Sequence, residues 1–143
     1  MTKTGPIIVI EDDLDDQAIL AEIFDTLEYE NEIIFFSDGD DALEYLTRDH
    51  VSPFLILSDI NMPKRNGFEL RNLIYTNAKL SIKCIPYLFF TTGVSKKAVL
   101  DAYALSVQGF FKKPNNSKDL EEIIKKIVEY WQECFAPGHY DSE

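Results

Sequence analysis

Five short apolar runs, separated by amphipathic segments, constrain the fold of this chain more than any other feature. The runs cover residues 7–10, 33–36, 54–57, 86–90 and 109–111. Between them, apolar residues mostly recur at the spacing of one helix face. Strands that alternate with helices predict an α/β fold, in which helices cover both faces of a parallel sheet. With 143 residues, the chain is expected to form one domain, 1–143.

The helices are predicted to start near Asp13, after Gly39, after Gly67, near Lys96 and at Ser117. Aspartates at the first of these starts can cap a helix and interact favourably with its dipole. The fourth predicted helix covers about 96–105, and the last covers 117 to about 135 with the clearest 3.6-residue period. The folded core is expected over about 6–133, and the tail 136–143 is expected to be loose.

Composition excludes two classes of protein and gives no sign of redox chemistry. The net charge of −11 argues against binding to nucleic acid, whose phosphates would repel the chain. No apolar run approaches the roughly 20 residues that span a bilayer, so a cytoplasmic protein without membrane contact is expected. Cys84 and Cys134 lack metal-ligand spacing, and free thiols are the expectation for them.

Charged residues stand directly after three of the predicted strands. Glu11 and Asp12 follow the first run, Asp59 closely follows the third, and Lys113 follows the fifth. In a doubly wound parallel sheet, ligands bind where the carboxyl ends of the strands meet. Three carboxylates crowded there would repel one another, and a hard divalent cation, with Mg²⁺ as the first choice, would relieve that repulsion.

Each part of this pattern has a plainer explanation when it is taken alone. The acidic run 11–13 could serve only as a capped helix start. Lys113 could simply end a surface strand. Neither explanation accounts for Asp59, so the joint occurrence of these charges in this order is the specific signal.

These segments, in their order and spacing, resemble the receiver domain of two-component response regulators over roughly 6–133. The resemblance implies a flavodoxin-like, doubly wound (βα)5 fold with a five-stranded parallel sheet in the order 2-1-3-4-5. It implies that Asp59 is the phosphoacceptor. It also implies a Mg²⁺ site in which Asp12 and Asp59 bind directly, Asn61 binds through its backbone carbonyl and Glu11 binds through water.

The resemblance also assigns roles to residues at the ends of the last two strands. Lys113 would contact the phosphoryl oxygens, and the Lys113–Pro114 peptide bond would be cis. Thr91 matches the switch hydroxyl of the family, with Thr92 as the alternative in register. Phe110 matches the aromatic side chain that changes rotamer when Thr91 moves.

The function implied is that of a stand-alone receiver that signals through protein contacts rather than an enzyme. It would take its phosphoryl group from a histidine kinase or a phosphotransfer protein and act on a downstream protein. The contact face would combine the fourth helix, the fifth strand and the last helix, and a homodimer through this face stays open. Features such as the Tyr130-Trp131 pair resemble the subgroup that works with phytochrome-like kinases.

Two alternatives from other functional classes stay open at this point. A phosphatase of the haloacid dehalogenase type also uses a strand-end aspartate with Mg²⁺, but it carries a second aspartate where this chain has Asn61. An interaction module that is never phosphorylated usually lacks an acid, the threonine or the lysine, and this chain retains all of them.

Overall fold

The computed structural model describes residues 1–136 and contains one five-stranded sheet. All strand pairs in it are parallel, and the order is β2-β1-β3-β4-β5, as predicted. The strands are β1 (Ile7–Ile10), β2 (Ile33–Phe36), β3 (Leu55–Ser58), β4 (Tyr87–Thr91) and β5 (Gly109–Lys112). Most of the tail expected to be loose, 137–143, lies outside the described residues.

Six helices connect or follow these strands within residues 1–136. They are α1 (Leu14–Leu27), α2 (Gly39–Leu46), α3 (Gly67–Thr76), α4 (Ala78–Ser81), α5 (Lys96–Ala104) and α6 (Ser117–Glu133). The sequence pattern missed α4, a single turn whose N-cap, Asn77, accepts a hydrogen bond from the backbone of Leu80. Within 1–136 no helix is long and apolar enough to cross a membrane.

The start of each helix is fixed by a polar side chain that accepts a backbone N–H, because the first turn of a helix has no internal partners for its donors. The caps are Asp13, Asp38, Asn66, Asn77, Ser95 and Asn116. Asn66 and Glu69 also form a reciprocal capping box at the start of α3. These caps set where each chain segment leaves the sheet and turns.

Two hydrophobic clusters cover the two faces of the sheet, as a doubly wound fold requires. In β1, Ile7 and Val9 belong to the cluster that includes α1 and α6. The alternate residues Ile8 and Ile10 belong to the cluster that includes α2, α3, α4 and α5. Successive side chains of a strand point to opposite faces of the sheet, so a continuous apolar run contributes side chains to both clusters.

The parallel register places the functional ends of the strands side by side. Ile10 at the end of β1 pairs with Ser58 at the end of β3, and Asp59 donates its backbone N–H to Ile10 O over 3.0 Å. On the other side, Lys113 donates its backbone N–H to Thr91 O over 2.8 Å. Residues that directly follow these strands therefore share one edge of the sheet.

Candidate functional site

Three acidic side chains meet at the carboxyl edge of the sheet. Glu11, Asp12 and Asp59 each present a carboxylate oxygen, and these oxygens all lie within 4.8 Å of one another. Glu11 is almost completely buried, Asp59 is half-buried and Asp12 is exposed. The side chains come from two separate strands, so the crowding expected from the sequence occurs in the folded chain.

Lys113 points into the same cluster. Its ammonium lies 2.9 Å from Glu11 Oε2, 3.5 Å from Asp59 Oδ2 and 3.4 Å from Asp16 Oδ2. The preceding Lys112 is exposed, in agreement with the alternation of side chains along β5. Sequence reasoning gave Asp16 no role beyond the start of a helix, although its position in the first turn of α1 places it near the same edge.

Backbone donors hold two of the carboxylates in place. Ile60 donates its N–H to Asp59 Oδ1 over 2.7 Å, and Asp13 donates its N–H to Glu11 Oε1 over 3.3 Å. Gly67 N–H donates to Ile60 O over 2.8 Å and closes the loop that follows Asp59. A Cβ atom on Gly67 would lie 2.4 Å from Asp59 O, so only glycine permits this close approach.

The pKa values of Glu11 and Asp59 are shifted in opposite directions. Burial and the hydrogen bond with Asp59 raise the pKa of Glu11 to about 8, although Lys113 opposes this shift. Burial also acts to raise the pKa of Asp59, but the hydrogen bond from Glu11 and the charge of Lys113 outweigh it and leave that pKa below its usual range. At neutral pH without a cation, Glu11 keeps the proton and Asp59 stays ionised and nucleophilic.

The lysine stays charged in this environment. Burial lowers the pKa of Lys113, but the hydrogen bond to Glu11 and the charges of Asp59, Glu11 and Asp16 raise it above its usual value. Hard divalent cations prefer oxygen ligands, and the carboxyl groups next to Lys113 supply them. The donor set therefore fits a divalent cation next to a fixed ammonium.

Thr91 ends β4 beside this cluster and is 1% exposed. Its hydroxyl lies near enough to Asp59 to help hold down the pKa of that carboxyl, yet its oxygen closes no hydrogen bond among residues 1–136. Thr92 is exposed and lines the adjacent cleft with Lys113 and Pro114. The burial favours Thr91 over Thr92 as the hydroxyl directed at the site.

Phe110 lies on β5, and Asn61 lies in the loop that follows Asp59. Phe110 is half-buried on β5 and contacts Phe89 edge to face, with ring centroids 6.0 Å apart. Phe110 pairs with Phe89 in register, two residues before the Thr91–Lys112 pair. Asn61 lies exposed in the loop after Asp59.

The predicted cis peptide bond at Lys113–Pro114 is wrong, because residues 1–136 contain only trans peptide bonds. The trans form is the lower in energy for most X–Pro bonds, by about 0.5–1 kcal/mol. The backbone hydrogen bond from Lys113 to Thr91 O orients the strand end with the bond in this form.

Comparisons with known proteins agree with this geometry. The family model of the response regulator receiver domain matches residues 7–125. Response regulator Rcp1 of Synechocystis sp. is 32% identical over 132 residues, which cover 89% of this chain and 88% of Rcp1. The probable methanogenesis regulatory protein FilR2 of Methanothrix harundinacea is 30% identical over 130 residues, which cover 87% of this chain and 82% of FilR2.

Solved structures of similar proteins share the whole fold. The phosphorylated cyanobacterial phytochrome response regulator RcpA superposes with a TM-score of 0.83 at 27% identity, over 94% of this chain and 98% of RcpA. The Mn²⁺-bound form of Rcp1 superposes with a TM-score of 0.79 at 30% identity, over 93% of this chain and 97% of Rcp1. None of these similarities supports the phosphatase alternative. With its strand order, its acidic edge and the match over most of its length, the chain belongs to the response regulator receiver family.

Proposed function

We propose that Asp59 accepts a phosphoryl group from the phosphohistidine of a histidine kinase or phosphotransfer protein. The observation that carries this role is the position of Lys113 Nζ, 3.5 Å from Asp59 Oδ2, inside the cluster of three carboxylates. A carboxylate oxygen of Asp59 attacks phosphorus, the P–N bond to the imidazole breaks, and the imidazole keeps the bonding electron pair. Water later hydrolyses the acyl phosphate and releases inorganic phosphate.

The residues around Asp59 fit a bound Mg²⁺. Asp12 and Asp59 would bind it directly, Asn61 through its backbone carbonyl and Glu11 through a water molecule. A bound Mg²⁺ would neutralise the carboxylates and the incoming phosphoryl oxygens. The Mn²⁺-bound structure of the relative Rcp1 supports a divalent cation in this family, and the choice of Mg²⁺ is part of the proposal.

Lys113 and Thr91 would then bind the phosphoryl group. The ammonium of Lys113 moves its hydrogen bond from Asp59 Oδ2 to a phosphoryl oxygen. The hydroxyl of Thr91, which has no hydrogen-bond partner among residues 1–136, donates to another phosphoryl oxygen and so gains an acceptor. Movement of Thr91 opens space toward β5, and Phe110 turns inward to fill it.

The signal would leave through the face formed by α5, β5 and α6. Leu100 and Tyr103 on α5 and Tyr130 on α6 are all about three-fifths exposed there. The downstream partner is a protein, and the chemistry of the receiver itself is limited to phosphorylation and dephosphorylation of Asp59. The similarity to the phytochrome response regulator RcpA supports a phytochrome-like kinase as the donor.

Intact mass spectrometry after incubation with Mg²⁺ and acetyl phosphate tests the proposal directly. We expect one added phosphoryl group in the wild type and none in Asp59→Asn, because the amide cannot act as the nucleophile. Asp25→Asn is the matched control, since it removes an exposed carboxylate at the far end of α1. It should be phosphorylated like the wild type.

Other results would contradict the proposal in distinguishable ways. Continuous turnover of a phosphate ester without a lasting adduct would support a phosphatase instead. An unchanged mass under every condition would support an interaction module. An adduct that persists in Asp59→Asn would place the acceptor elsewhere.

A further inference from the structure

The ammonium of Lys113 is shared among three carboxyl groups, and one of them, that of Asp16, lies outside the acidic cluster. An ammonium has three protons, and Glu11, Asp59 and Asp16 accept them. The side chain of Asp16 is 38% exposed, whereas that of Glu11 is 3% and that of Asp59 is 12% exposed. Asp16 is thus the member of this group that meets solvent.

The backbone of Asp16 is fixed in the first turn of α1. Its N–H donates to Asp13 Oδ1, the N-cap of α1, over 3.2 Å. Its side chain lines a cleft together with Thr92, Lys113 and Pro114. A phosphodonor that approaches Lys113 from this cleft therefore meets a surface that carries the Asp16 carboxylate, 3.4 Å from the ammonium.

We propose that Asp16 determines which phosphodonors the site accepts, by selecting against small, highly charged ones. The inference rests on the proposed function of Asp59. Asp16 offsets part of the positive charge that Lys113 offers to an incoming phosphoryl group and repels the donor directly. The repulsion grows with the charge of the donor, so a free acyl phosphate is slowed most.

A protein donor escapes much of this penalty. The phosphohistidine lies within a larger surface of the donor protein, and a basic side chain on that surface can pair with the exposed Asp16 carboxylate. The carboxylate then contributes to recognition instead of repulsion. The residue would therefore bias the site toward a protein donor and away from small metabolite phosphates.

The test compares Asp16→Asn with Asp15→Asn. Asp15 also lies in the first turn of α1 and donates its N–H to Asp13 Oδ1, but its exposed side chain forms no ion pair among residues 1–136. Both changes remove one charge at neighbouring positions. Only Asp16→Asn removes a carboxylate from Lys113. Acetyl phosphate, a dianion at neutral pH, and phosphoramidate, with about one net charge, serve as the donors.

We expect Asp16→Asn to speed phosphoryl uptake from acetyl phosphate roughly 3- to 10-fold, and uptake from phosphoramidate by only about 2- to 3-fold. Both effects should shrink in high salt, because salt screens exposed charges. Asp15→Asn should change either rate less than about 2-fold. Asp16→Glu, which keeps the charge, should retain the selectivity of the wild type between the two donors.

Equal rate increases in Asp15→Asn and Asp16→Asn would overturn the inference, because net charge alone would then explain them. Slower uptake from both donors in Asp16→Asn would also overturn it and would show that Asp16 only orients Lys113. If wild type and variants all fail to gain a phosphoryl group on Asp59, the proposed function fails first. Phosphorylated wild type with unaltered rates in Asp16→Asn removes only the role of Asp16.

Discussion

Thr91 shows how a single residue can be left incomplete in the resting protein. Its hydroxyl is buried at the end of β4 and closes no hydrogen bond within residues 1–136. A buried polar group without a partner costs roughly 1–3 kcal/mol. Under the proposed function, a phosphoryl oxygen on Asp59 would supply the acceptor and recover this cost, and the side chain would favour the modified state over the free one.

Replacement of Thr91 by valine keeps the shape of the side chain and removes the hydroxyl. We expect the free energy of unfolding of the unmodified protein to rise by about 1 kcal/mol, because the unpaired donor is gone. Affinity for beryllofluoride, a phosphoryl analogue, should fall about tenfold, since one hydrogen bond to it is lost. Urea denaturation measures the change in stability, and a titration with beryllofluoride measures the change in affinity.

Thr92→Val is the control for Thr91→Val, because Thr92 is exposed. It should leave both quantities nearly unchanged. A stability loss in Thr91→Val would contradict the view that the Thr91 hydroxyl lacks a partner in the resting protein.

The proton on Glu11 makes the metal-free protein sensitive to pH. Its pKa is about 8 in the folded protein against an ordinary value of 4.5. Between these values the folded state holds a proton that the unfolded state has lost, so stability declines as pH rises. We expect the free energy of unfolding to fall as pH rises from about 4.5 to about 8, as measured by urea denaturation at several pH values.

Two comparisons test that assignment. Glu11→Gln should flatten the decline, since glutamine does not titrate. Saturating Mg²⁺ should also cancel it, because a bound cation takes the place of the proton. A decline of the same size in Glu11→Gln would assign the effect to another group.

At the scale of secondary-structure elements, Arg71 ties α3 to the end of α5. Its guanidinium donates to Leu105 O and Ser106 O, each over 2.9 Å, and it stacks on the rings of Tyr75 and Tyr87. Arg71 is 5% exposed. These contacts satisfy backbone acceptors that follow the last turn of α5 and fix one end of the helix proposed to carry the signal.

Arg71→Met should retain part of the packing but leave the two carbonyls of Leu105 and Ser106 without their donor. We expect the free energy of unfolding to fall by about 2–3 kcal/mol. Amide hydrogen exchange should rise over 96–106 in particular. Arg48→Met is the control, because Arg48 makes an exposed pair with Glu44 and should cost under about 0.5 kcal/mol. Uniformly faster exchange over the whole chain would contradict a local role for Arg71.

At the scale of the whole molecule, the two hydrophobic clusters cover both faces of the sheet, while several large apolar side chains on the helices stay exposed. Leu100 and Tyr103 on α5 and Tyr130 on α6 are all exposed. Phe111, Tyr130 and Trp131 line a cleft between β5 and α6. The exposed apolar side chains of α5 and α6 offer area that a protein partner can bury.

We expect a second copy of the chain to dock on this face, because it offers apolar side chains at an edge strand. Tyr103→Ser should therefore weaken dimerisation, as measured by light scattering after gel filtration with and without beryllofluoride. Ile82→Ser is the control, since Ile82 is an exposed apolar residue at the end of α4, outside this face. Monomers in every sample at high protein concentration would contradict the expectation.

The sequence alone determined the fold and the centre of the site. Buried parallel strands must be apolar on both faces, so the five runs stood out, and the acids that end two of them had to meet at one edge. The resemblance placed Asp59, Glu11 and Asp12 together, and their oxygens lie within 4.8 Å. The short helix α4 was missed, because one turn leaves no periodicity to detect.

Only the tertiary structure decided which side chains of the site pair with one another. Asp16 and Lys113 are 97 residues apart in sequence, and no local pattern marks their pairing. The unsatisfied hydroxyl of Thr91 and the trans bond at Lys113–Pro114 likewise depend on neighbours brought in by folding. The periodicity of a sequence indicates which way a side chain faces. A hydrogen bond or an ion pair, by contrast, forms or fails on differences in distance of a few tenths of an ångström, and the packing of the whole chain sets those distances.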